Sequence, residues 1–162
     1  MNFQEEGDFG ASRDELLSGS NRSAEANSSS EDFLGGSDGV LRQISPASLA
    51  YLGDAVYELH IRRHHLLPPK RIQLYHDQVV AEVRAEAQAG YLNSLQPRLT
   101  DSEKEVLKRG RNASPRGPKR LDPQIYQQAT SLETLLGYLY LTDSDRLTEL
   151  LQHISGKQTI VN

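Results

Sequence analysis

The stretch Leu49-Ala50-Tyr51-Leu52-Gly53-Asp54-Ala55-Val56-Tyr57-Glu58 constrains this chain more than any other. Leu49, Leu52, Val56 and Leu59 recur at three- and four-residue spacing, the pattern of a half-buried helix. Into that pattern the sequence places a glycine and then an acid. A glycine in a helix interior costs about 1 kcal/mol relative to alanine, so Gly53 makes sense where another backbone packs closely. A second apolar helix carries Glu133 between Leu132 and Leu135-Leu136, with Gly137 one turn later on the same face. Both acids sit at the margin of an apolar stripe, where they are partly withdrawn from water. Two such carboxylates raise each other's pKa unless a cation joins them. Mg²⁺ is commonly held by one or two carboxylates together with waters and substrate phosphates. Asp54 and Glu133 are therefore a candidate metal site suited to chemistry on a phosphate backbone. The alternative is that each acid pairs with an arginine or caps a neighbouring helix.

From Ile44 onward the pattern is helical, with no convincing strand pair. Ser45 as N-cap followed by Pro46 predicts the start of the first helix, and Pro68-Pro69 its end. A second helical stretch runs from about Ile72 to Leu95, with Val79, Val80, Val83, Ala87 and Tyr91 on one side and Gly90 as the expected bend. Thr100 and Glu103 form a capping-box signature for a short helix through about Lys108. Residues Gly110 to Leu121 hold two glycines and two prolines without an apolar period, and read as a loop. Asp122-Pro123 repeats the cap-plus-proline start, and a last helix follows Asp143-Ser144. The sum is an all-α helical bundle.

The charge is divided. Residues 1–41 carry two basic residues against nine acids, whereas the remainder carries sixteen against thirteen. The first segment has few apolar residues and cannot offset its ordering entropy. It is expected to be a disordered acidic tail, followed by a domain over 42–156 and a short C-terminal tail over 157–162. With no cysteine in the chain, disulfides and thiolate metal sites are excluded. No apolar run approaches the roughly 18 residues of a membrane span, and the N-terminus is not a secretory signal. A cytoplasmic protein without a membrane partner is expected. His60 and His64 lie one turn apart, but no third ligand completes a zinc set. Tyr57, Tyr138 and Tyr140 read as core or interface residues.

Lys104, Lys108, Arg109, Arg111, Arg116, Lys119 and Arg120 are interrupted by a single acid, Glu105. Such a segment can reach phosphate oxygens, with Asn112 and Ser114 adding hydrogen bonds. No aromatics interleave, which favours duplex recognition by shape and phosphate over base stacking. A solvated charge run is the competing account.

Leu49 to Glu58 resembles the signature helix of ribonuclease III, and Ala129-Thr130-Ser131-Leu132-Glu133-Thr134-Leu135-Leu136-Gly137 resembles that family's second acidic motif. Val106-Leu107-Lys108-Arg109-Gly110-Arg111-Asn112-Ala113 and Leu135-Leu136-Gly137-Tyr138-Leu139-Tyr140-Leu141 are similar to the Mini-ribonuclease III branch, which lacks the double-stranded RNA-binding domain. The resemblance covers about residues 42–156. It implies an all-α homodimer that cleaves double-stranded RNA with Mg²⁺, Mn²⁺ being a substitute. It further implies 5′-phosphate and 3′-hydroxyl ends and a role in maturing 23S ribosomal RNA. Ala47, Ala50 and Thr130 stand where the wider family carries acids, so only Asp54 and Glu133 carry over. One firmly held ion per site is expected, with any second recruited by substrate. Lys108, Arg109, Arg111 and Asn112 are the expected RNA-backbone contacts. A helper such as a ribosomal protein that delivers the substrate fits a chain with one modest basic segment. The opposing expectation is a catalytically silent helical RNA-binding or ribosome-associated module. A third is a protein-interaction bundle with no nucleic acid.

Overall fold

A computed structural model of the protein describes residues 38–114 and 117–156. Most of the expected acidic tail, Pro115, Arg116 and the C-terminal tail lie outside the described residues. The elements are α1 (Asp38–Gln43), α2 (Pro46–His65), α3 (Ile72–Val83), α4 (Ala85–Leu95), α5 (Asp101–Ala113), α6 (Pro123–Thr142) and α7 (Ser144–Gly156). A 3-10 turn at Gln96–Arg98 links α4 to α5. Among the described residues there is no strand, as an all-α fold requires.

The helix starts follow their local chemistry. Ser45 Oγ accepts from the Ser48 N–H at 3.0 Å, with Pro46 in the first turn. Thr100 and Glu103 bond reciprocally as a capping box, and Asp122 accepts from the Gln124 N–H at 2.7 Å. Each bond satisfies a backbone donor that the first turn leaves open. Glu103 also takes a 2.7 Å hydrogen bond from Arg146 Nε, and Arg146 donates in turn to the Arg98 carbonyl. That pairing ties α7 to the start of α5.

Helix α6 is the centre of the bundle and packs against α2, α4, α5 and α7. Leu132, Leu135 and Leu136 have no exposed surface, the condition of a helix enclosed nearly all round. Its most extensive partner is α2.

Three expectations are corrected. The apolar stripe of α2 is only partly its buried face, with Leu52 and Val56 at its margin. Leu49, Gly53, Tyr57 and Ile61 are buried, while Leu59 is 59% exposed. The glycine decides this, because only the face carrying Gly53 can approach the α6 backbone. The stretch from Ile72 to Leu95 is two helices, broken at Arg84 (φ −68°, ψ 154°) and not at Gly90. Gly90 lies inside α4 with open space around it. Finally, α5 continues through Ala113, so Arg109, Arg111 and Asn112 are helical residues and not loop residues. Gly110 extends that helix because it faces α6. A Cβ there would stand 2.7 Å from Thr134 Cβ and against its hydroxyl.

Candidate active site

Asp54 and Glu133 are brought together by the tightest helix crossing of the fold. A Cβ on Gly53 would lie 2.7 Å from both the Glu133 carbonyl carbon and the Gly137 backbone nitrogen. A Cβ on Gly137 would collide with the Leu49 carbonyl. The two glycines let α2 and α6 touch backbone to backbone. The contact runs from the residue preceding Asp54 to Glu133 itself, so the register of this crossing fixes where both acids stand.

Asp54 is exposed and Glu133 is partly buried. Among the described residues, neither forms an ion pair with a basic side chain. Among the described residues, then, no arginine matches either acid. Partial burial, and then the neighbouring charge of Glu58, push the Asp54 carboxyl above its usual range. Burial, and then the charge of Asp54, push Glu133 up to about 7, partly offset by the Gln88 amide. Two oxygen-donor side chains that hold each other's charge at a cost are a set that a hard divalent cation satisfies.

The shift of Glu133 has a measurable sign. A carboxyl with a raised folded-state pKa binds its proton more tightly when folded. Its contribution to stability is fully present below the unfolded value and is lost as pH rises through about 7. Without divalent ion, this group is expected to cost on the order of 2–3 kcal/mol between about pH 5 and about pH 8. Glu133→Gln should remove that slope. Urea melts of both proteins in chelator at the two pH values check it.

Two residues of the site were missed from sequence. Glu58, one turn beyond Asp54, adds negative potential, although it also receives a 2.5 Å bond from Arg62. Its i, i+4 spacing from Asp54 was a legible signal. Gln88, 2% exposed at the start of α4, touches Glu133 from a third helix. An amide in an amphipathic helix gives no such signal.

Lys108, Arg109, Arg111 and Asn112 are all exposed on the last turns of α5. Gly110, in their midst, packs against Ser131 and Thr134. The basic turn thus crosses α6 at residues on either side of Glu133 in the chain. Lys108 is partly engaged by Glu105 at 3.6 Å, a screened surface pair worth little. His60 bonds Ser155 Oγ at 2.5 Å, and His65 pairs with Glu82. Among the described residues no group of three or more His, Cys, Asp or Glu gathers as a metal cluster. The described part of the site therefore rests on Asp54 and Glu133, with Glu58 adding negative potential beside Asp54.

Comparison with known proteins identifies the family. A model of the Ribonuclease III domain matches residues 47–144. Mini-ribonuclease 3 of Thermosynechococcus vestitus is 55% identical over 114 residues, covering 70% of this chain and 76% of the relative. Mini-ribonuclease 3 of a Synechocystis strain is 57% identical over 112 residues, covering 69% and 78%. A Fusobacterium nucleatum protein solved by X-ray crystallography superposes with a TM-score of 0.65 at 29% identity, over 70% of this chain and 93% of that one. With the acid-bearing helix crossing on one side and these relatives on the other, the chain belongs to the ribonuclease III family, in its Mini-ribonuclease 3 branch, and is an endoribonuclease.

Proposed function

We propose that this endoribonuclease cleaves double-stranded RNA with Mg²⁺, or Mn²⁺ in its place, leaving 5′-phosphate and 3′-hydroxyl ends. The observation that carries this reading is the carboxylate pair, Asp54 and Glu133, which the Gly53–Gly137 crossing brings together and which no basic side chain among the described residues neutralises. When bound, a divalent ion supplies a lowered pKa for water and offsets charge that develops on the phosphate. Asp54 and Glu133 hold that ion and orient the attacking water. The exposed Asp54 is the principal ligand, and Glu133 completes the pair from its more sheltered position.

Lys108, Arg109, Arg111 and Asn112 hold the RNA backbone. They are presented on a helix packed onto α6, which makes the basic group a rigid ridge suited to a duplex of fixed shape. The enzyme acts as a homodimer. Leu59 of α2, 59% exposed, lines an apolar groove with Val56, Tyr140, Leu147 and Leu151, a contiguous surface of the kind that marks association. The substrate is precursor 23S ribosomal RNA in the bacterial cytoplasm, and a ribosomal protein delivers it.

The test is cleavage of end-labelled duplex RNA by the full chain with Mg²⁺ and with chelator. Cuts confined to the Mg²⁺ lanes are expected; a duplex left intact in both would leave only a silent RNA-binding module. In the same protein, Arg109→Ala with Arg111→Ala is expected to weaken duplex binding and to flatten the slope of log affinity against log salt by about 1 to 2. Retention of the wild-type slope would remove these residues from the RNA interface.

A further inference from the structure

Gln88, whose amide lies against Glu133, carries a buried polar atom without a partner. The side chain is 2% exposed. Its Nε2 donates to the Val83 carbonyl at 3.0 Å, and the same amide lies against Glu133. Both neighbours accept hydrogen bonds, so the amide orientation is fixed: turned over, its oxygen would face two acceptors. Oε1 is thereby left buried with no donor.

Such an arrangement is expensive. A buried acceptor without a partner costs about 1–3 kcal/mol, and native proteins keep few of them. The bond to Val83 does not account for it. The break at Arg84 frees the Val83 carbonyl, and any donor of similar reach would cap it. What a glutamine adds is a second N–H, which lies against Glu133 where α4 meets α6.

We propose that Gln88 is a positioning residue of the carboxylate pair, whose NH₂ group fixes the Glu133 carboxylate. This rests on Asp54 and Glu133 being the ion-binding pair. Gln88 then acts through Glu133, and it touches neither the ion nor the RNA. Partners of this kind beyond the ligands themselves typically change metal affinity by about 10- to 100-fold.

The test titrates Mg²⁺ into the full chain while following thermal unfolding, beside Mg²⁺-dependent cleavage of duplex RNA. Gln88→Met keeps the side-chain volume and removes both polar ends. It is expected to move the Mg²⁺ midpoint of the thermal shift upward by about 10- to 100-fold, with cleavage recovering at high Mg²⁺. Gln88→Asn keeps the amide but withdraws it by one methylene, and should move the midpoint in the same direction. It decides the matter if the methionine variant does not fold. A purely structural role would lower the unfolding temperature in chelator and leave the midpoint in place, and that result overturns the proposal. If wild type responds to Mg²⁺ and loses the response in Asp54→Asn, but both Gln88 variants titrate as wild type, the Gln88 assignment alone falls. If wild type shows no Mg²⁺ response and Asp54→Asn cleaves normally, the ion-binding pair falls and Gln88 with it.

Discussion

Gly53→Ala should cost this protein more stability than any other single-methyl addition in the described helices save that at Gly137. The added Cβ meets backbone on α6, at the Glu133 carbonyl and the Gly137 nitrogen. Backbone cannot rotate away as a flexible side chain can. Inserting a methyl into a packed core usually costs about 1–3 kcal/mol, and here relief requires α2 and α6 to separate along their whole contact. A loss of at least about 3 kcal/mol is expected, a large part of the 5–15 kcal/mol that a domain typically has. For a domain of this size that corresponds to a fall in Tm of roughly 10 °C or more. Gly90→Ala is the matched control. Nothing lies within 4 Å of its added Cβ, so helix propensity alone should stabilise it by up to about 1 kcal/mol. Parallel thermal melts decide the point; equal Tm values would mean that the glycine crossing is not tight. Because the crossing also sets the two acids, any Gly53→Ala protein that remains folded should cleave RNA poorly.

Asp54→Asn is expected to abolish cleavage while leaving the fold intact. The side chain is exposed and unpaired among the described residues, so removing its charge breaks no buried ion pair. It also relieves repulsion, since Asp54 is the charge that helps push Glu133 upward. The ion-free variant should therefore be as stable as wild type or slightly more so. Groups that only orient metal ligands change affinity or activity by about 10- to 100-fold, so loss of a direct ligand should exceed about 100-fold. Single-turnover cleavage of duplex RNA, with circular dichroism melts in chelator, measures both halves. Cleavage at the wild-type rate would show that the chemistry lies elsewhere.

These two neighbours in the chain show what could be read in advance. Gly53 was informative because a glycine amid apolar helix residues has few explanations, and close backbone approach is the commonest. Ser45-Pro46, Thr100 with Glu103, and Asp122-Pro123 were equally legible, because capping is a bond between residues three or fewer apart. The break at Arg84 was not legible. No proline or glycine marks it, and both helices it separates answer to packing against other helices. The same holds for α5, where Gly110 looked like a loop residue until Thr134 and Ser131 were found against it.

The sequence by itself determined an all-helical domain, its caps, and the two acids with their attendant glycines, because each depends on local geometry or on residue type. Only the tertiary structure decided which face of α2 is buried, that the basic residues ride on a helix, and that Gln88 reaches Glu133 from a third helix. Those outcomes depend on which surfaces meet, and surfaces distant in sequence meet only when the whole core closes.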